Sequence, residues 1–107
     1  LTIGPSNVAI LVRNVANMIK SGLEQRDAAI KVGAMGATTL VFIYNKLTIL
    51  GVSQDAFKDM QQLYDILTIN LKPRENDVII IGSANERNLA EFGAKVAALE
   101  LLKTEKS

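Results

Sequence analysis

The stretch Ala29-Ile30-Lys31-Val32-Gly33-Ala34-Met35-Gly36-Ala37 decides how the fold is read. A short apolar run reaches a glycine and passes through small residues into a helical pattern, which predicts a strand, a tight turn and a helix. The same unit recurs as Leu1-Thr2-Ile3-Gly4 ahead of Ser6, and as Val78-Ile79-Ile80-Ile81-Gly82 ahead of Ala84. Three strand-glycine-helix units in one short chain predict an α/β domain.

Outward from these turns, the first helix takes Ser6 or Asn7 as its N-cap. Val8, Leu11, Val12, Val15, Met18 and Ile19 fall on one face, and Gly22 supplies the stop. The second helix, about 37–50, carries a stripe of Leu40, Ile43, Tyr44, Leu47 and Leu50. Val41, Phe42 and Ile49 lie on its other faces. A helix apolar on more than one side needs two partners, so these three residues are assigned to a dimer interface.

From Ser53, the positions Phe57, Met60 and Leu63 or Tyr64 predict a third, amphipathic helix. Ile66–Leu71 and Val78–Ile81 are β-branched runs flanking Lys72-Pro73-Arg74-Glu75-Asn76-Asp77, a strand, a turn and a strand. The last helix, about 84–102, has the stripe Leu89, Phe92, Val96, Leu99 and Leu102. The predicted order is β-α-β-α-(α)-β-β-α, an α+β two-layer sandwich forming a single domain over residues 1–107. Hydrophobic residues make up 49% and charged residues 21%, which excludes disorder, while an aromatic share of 5% predicts an aliphatic core.

The net charge of +1 creates no global attraction to phosphate or to a membrane. Residues 1–53 carry +3 and residues 54–107 carry −2, so an anion-binding face belongs to the first half. The longest uncharged run, Val32 to Asn45, has 14 residues, short of the roughly 20 that span a bilayer. No membrane partner is expected. The absence of Cys fits a reducing compartment, with the cytosol as the default.

Ile3-Gly4-Pro5-Ser6-Asn7-Val8, followed by the stretch from Ala29 to Ala37, resembles the Alba-like family of nucleic-acid-binding proteins. The likeness is nearest to its bacterial branch of the stage V sporulation protein S type. It covers about residues 1–50 and, more loosely, the hairpin 66–81. The resemblance implies a β-α-β-α-β-β core, to which this chain adds a helix at 53–65 and a long last helix. It also implies a homodimer built on the second helix and non-enzymatic binding of DNA or RNA through the phosphate backbone. On that footing Ser6, Asn7, Arg13, Lys31, Lys72 and Arg74 are the candidate nucleic-acid contacts.

Two other readings stay open. One is a protein-interaction or assembly module, which the near-neutral charge favours. The other is a small-anion or nucleotide-phosphate site at the glycine turns, with Gly33 and Gly36 placing backbone N–H groups at a helix N-terminus. The absence of His and Cys removes triad and zinc mechanisms and points away from an enzyme; no cofactor or metal site is implied. Asp55 and Asp59 stand at i, i+4 but beside Lys58, and read as a solvated face. Phe42, Tyr44, Phe57, Tyr64 and Phe92 fall in helical stripes and are assigned to the core, leaving no platform for stacking bases.

Overall fold

Strand β4 (Asp77–Ala84) is buried at all eight of its positions, which requires neighbours on both edges and cover on both faces. The computed structural model, which describes residues 4–50 and 61–104, supplies them. β1 (Ser6–Val12) and β2 (Gly36–Ile43) flank β4, and β3 (Lys46–Ile49) adds to β2, giving the order β1-β4-β2-β3. Every pairing is antiparallel. Three helices complete the chain: α1 (Leu23–Lys31), α2 (Gln61–Leu71) and α3 (Arg87–Thr104).

Alternate residues of β4 serve different cores. Val78, Ile80 and Ala84 join Val8, Ile10 and Val12 of β1 beneath α1 and α3. Ile79 and Ile81 join Leu40 of β2, Leu47 and Ile49 of β3 and Leu67 of α2 on the opposite face. The sheet and the α1/α3 layer form the α+β two-layer sandwich expected from the sequence. Helix α2 is laid over the second face through Leu67, with Leu63, Tyr64 and Leu71 partly buried beside it.

The elements inside that class differ from the predicted ones. The segment after Gly4 is strand β1, not a helix. Residues 29–31 end helix α1 instead of forming a strand. The apolar segment 37–50 is the β2–β3 hairpin rather than a second helix, and Ile66–Leu71 is helical within α2. Leu1 to Ile3 and the predicted helix from Ser53 to Met60, with Asp55, Phe57 and Asp59, lie outside the described residues.

Each error has a physical source. A strand covered on both faces reads as a continuous apolar run, and Val8-Ala9-Ile10-Leu11-Val12 satisfies helical spacing as well as strand spacing. The hairpin turn uses Tyr44 and Asn45, both left-handed at φ 56° and 60°, where an Asn-Gly pair would have announced it.

Helix α3 is where the sequence predicted, but it is rotated. Its buried stripe is Ala90, Ala94, Ala97, Ala98 and Leu101, whereas Phe92 and Leu99 of the predicted stripe are 51% and 60% exposed. Gly82 is the cause. A Cβ placed there would lie 2.2 Å from the carbonyl oxygen of Ala90 and 2.7 Å from the nitrogen of Ala94, so α3 rests on the strand backbone itself. Only small side chains fit such a contact. Gly93 repeats the arrangement toward α1, where an added Cβ would meet that of Ala34 at 2.7 Å.

Gly82→Ala must therefore push α3 off β4, and chemical denaturation should show a loss of about 1–3 kcal/mol or more. An unchanged midpoint would contradict the backbone-to-backbone contact.

Candidate functional site

At one end of the sheet two carboxylates, Asp77 and Glu75, organise three loops. Asp77 opens β4, and its side chain is only 3% exposed. Its Oδ2 accepts from Arg13 Nη1 at 2.8 Å and from the Arg74 backbone N–H at 2.7 Å, while Oδ1 accepts from the Asn14 N–H at 2.8 Å. Burial alone would raise the Asp77 pKa, but the two backbone donors and the Arg13 guanidinium outweigh it and hold the carboxyl below its usual value. Asn76 extends the network, donating through Nδ2 to Asn14 Oδ1 and through its backbone N–H to the Phe42 carbonyl. Glu75 accepts from the N–H groups of Tyr44 and Asn45 at 2.9 and 3.2 Å, holding the left-handed hairpin turn.

Arg13, Lys72 and Arg74, three of the six candidate nucleic-acid contacts, thus meet at this loop end. Lys46 stands nearby, opposite Ile43 in the hairpin. Tyr44, assigned to the core from the sequence, is instead 91% exposed at the tip of the turn. The other three contacts lie elsewhere. Ser6 and Asn7 are at the far end of β1, about 20 Å away at the usual rise per strand residue. There Asn7 accepts from the Gly4 N–H and Ser83 Oγ and donates to the Gly4 carbonyl, fixing the entry to the strand. Lys31 is in the last turn of α1.

The glycine turn does not have the geometry of an anion site. Gly33 follows α1 rather than preceding a helix, at φ 102°. Its N–H donates to the Ile30 carbonyl and that of Ala34 to the Ala29 carbonyl, closing the C-terminus of the helix. That is the negative end of the helix dipole. Gly36 is buried at the start of β2, paired with Ser83. The residues assigned to a dimer face also change place. Val41 is 6% exposed in the core under α1 and α3, and Ile49 is 2% exposed in the core on the opposite face with Phe42 partly buried beside it, because the hairpin is covered on both sides within this chain.

A second surface lies on the helix layer. Between α1 and α3 runs an open groove of about 400 Å³ whose floor includes Ala28, Val32 and Val96. Its rim holds Glu24, Asp27 and Glu100 together with Lys31 and Lys103. Large apolar side chains stand on the outer faces of the same two helices: Leu23 at 54%, Ile30 at 45%, Phe92 at 51% and Leu99 at 60% exposure. The sequence hid this surface because it placed Phe92 and Leu99 in the core and read no helix over residues 23–31. Among the described residues no group of three or more acidic side chains is positioned to hold a metal, and no helix is long and apolar enough to cross a membrane.

A family model described as a domain of unknown function (DUF4443) matches residues 3–101. The chain belongs to this family. None of the curated proteins matches it. Among solved structures, the hypothetical protein PH0730 from Pyrococcus horikoshii OT3 is similar over 95% of this chain, with a TM-score of 0.71 at 24% identity. At that identity the likeness is one of fold. The chain spans 60% of the length of that protein.

Asp77→Asn should destabilise the domain by about 1–3 kcal/mol, since Arg13 and two backbone donors lose their ionic acceptor. Because the folded carboxyl titrates below the unfolded one, its contribution is complete above the ordinary aspartate range and disappears as pH falls through the folded value. Urea midpoints measured from pH 7 downward should converge for wild type and variant in acid. Parallel curves would show that the carboxylate charge contributes nothing.

Proposed function

We propose that this domain is a non-enzymatic partner-binding and assembly module, acting in a reducing compartment such as the cytosol, which a cysteine-free chain suits. One observation carries the reading: α1 and α3 border a groove with an apolar floor of Ala28, Val32 and Val96 and a rim of both signs of charge, and the same two helices leave Leu23, Ile30, Phe92 and Leu99 exposed. An apolar centre inside a mixed polar rim is the anatomy of a protein interface, and isolated surface leucines do not produce it. Phosphate is poorly served there, because Lys31 shares the groove with Glu24, Asp27 and Glu100.

Nucleic-acid binding is the second reading, favoured by the gathering of Arg13, Lys72 and Arg74 at the loop end with Lys46 and the exposed Tyr44. In that reading the contacts are to phosphate and weaken steeply with salt. Asp77 already neutralises Arg13, and Glu75 adds a second carboxylate, so the local excess of positive charge is small.

Photo-crosslinking in cells discriminates the two. A crosslinking amino acid at position 99 is expected to capture protein, and the same residue at position 72 to capture no nucleic acid. Fluorescence anisotropy with labelled duplex DNA and RNA should show no binding at low or physiological salt. Salt-sensitive binding that is lost in Lys72→Glu/Arg74→Glu would overturn the assembly reading in favour of the second.

A further inference from the structure

Strand β1 has neighbours on one side only. It pairs with β4 from Ser6↔Ala84 to Val12↔Val78, and among the described residues no strand lies along its other edge. Strands in this position usually carry protection such as an inward charge, a proline or a bulge, because a row of unpaired N–H and C=O groups invites another strand. β1 has none of these within its span. Ser-Asn-Val-Ala-Ile-Leu-Val is uncharged, and its register with β4 is continuous over seven pairs. None of its seven residues is fully buried, although β4 beside it is buried throughout.

We infer that β1 pairs antiparallel with β1 of a second copy of this chain, joining two four-stranded sheets into one eight-stranded sheet across a two-fold axis. Three features point to this occupant. The unpaired ladder groups call for a strand, not a helix or a small molecule. The strand is also complementary to itself. With the axis at Ala9, Val8 of one chain stands opposite Ile10 of the other on the helix-covered face, so apolar meets apolar next to the axis, while Asn7 meets Leu11 and Ser6 meets Val12 toward the strand ends.

The third feature is the position of α3, which packs on β4 and β1 while α1 packs on β2 and α3. With strands about 4.8 Å apart, α3 lies roughly 5 Å from an axis just beyond β1, and its copy lies the same distance on the other side. The two helices are then about 10 Å apart, the spacing of packed helices. The flank of α3 that would meet its copy is the one opposite Gly93, since Gly93 faces α1. At 3.6 residues per turn that flank holds Ala98 and Leu102, one small and one 38% exposed, together with the ion-paired Glu91 and Lys95. This pairing uses neither the helix-layer groove nor the loop end, and so stands apart from both readings given above.

The chain has no cysteine, so Ala9→Cys introduces a single reporter. Directly opposed antiparallel residues have Cα atoms about 4.5–5.5 Å apart, within disulfide range. Sedimentation equilibrium of the wild-type chain is expected to show a dimer, and mild oxidation of Ala9→Cys to give a covalent one. Ala9→Lys places a charge on the edge and should yield a monomer with an unchanged circular dichroism spectrum. Leu102→Glu, on an exposed helix position, should weaken the dimer at least tenfold and provides the test should Ala9→Lys fold poorly. A monomer at every concentration overturns the proposal. So does a dimer that forms no disulfide through position 9 and is indifferent to Leu102→Glu.

Discussion

Helix α3 touches strand β4 backbone to backbone because position 82 has no side chain, and most of the domain follows from that approach. Where it crosses Gly82 the helix can present only small side chains, so Ala90, Ala94 and Ala97 face inward, and Leu101 is buried further along. The larger residues of the same helix, Phe92 and Leu99, are then turned to the surface. Around the contact the usual relation between size and burial is inverted, and the exposed apolar residues of α3 result from a close core contact. Gly93 extends the seam to α1 through Ala29 and Ala34, fixing the separation of the two helices and hence the groove between them.

At the other end of the sheet the constraint is electrostatic. Asp77 is a nearly buried carboxylate, tolerable only because Arg13, Asn14 and Arg74 all donate to it. Asn14, Lys72 and Asn76 adopt left-handed backbone around it, and Glu75 secures the left-handed pair at the hairpin tip. The Arg13 side chain is thus first of all structural. Arg13 is committed to Asp77 through its side chain and Arg74 through its backbone N–H, which is why charge alone is a poor guide to function here.

The two ends and the two faces leave different surfaces open. The helix layer offers an apolar face with mixed charges, the loop end offers a few cations and an aromatic tip, and β1 offers unpaired backbone. These are surfaces for contact.

The sequence by itself determined the class of the fold, its aliphatic core, the strand at 78–81 and the helix that follows. These rest on composition and on strong local patterns. Val78-Ile79-Ile80-Ile81 is too β-branched for anything but a buried strand, and the run after Arg87 is long and rich in alanine. The nature of 6–12 and 37–50 was left to the tertiary structure, because an apolar run that is covered on both faces carries no period to tell strand from helix. Helix α1 was equally hidden, since Leu23 to Lys31 shows no clear apolar stripe and is held by alanine contacts with Gly93. The candidate surfaces follow the same rule. Arg13, Lys72 and Arg74 were legible as cations, but not that Arg13 and the Arg74 backbone bind Asp77, and which face of α3 meets solvent was settled by a missing Cβ on strand β4, which no local pattern in the helix records.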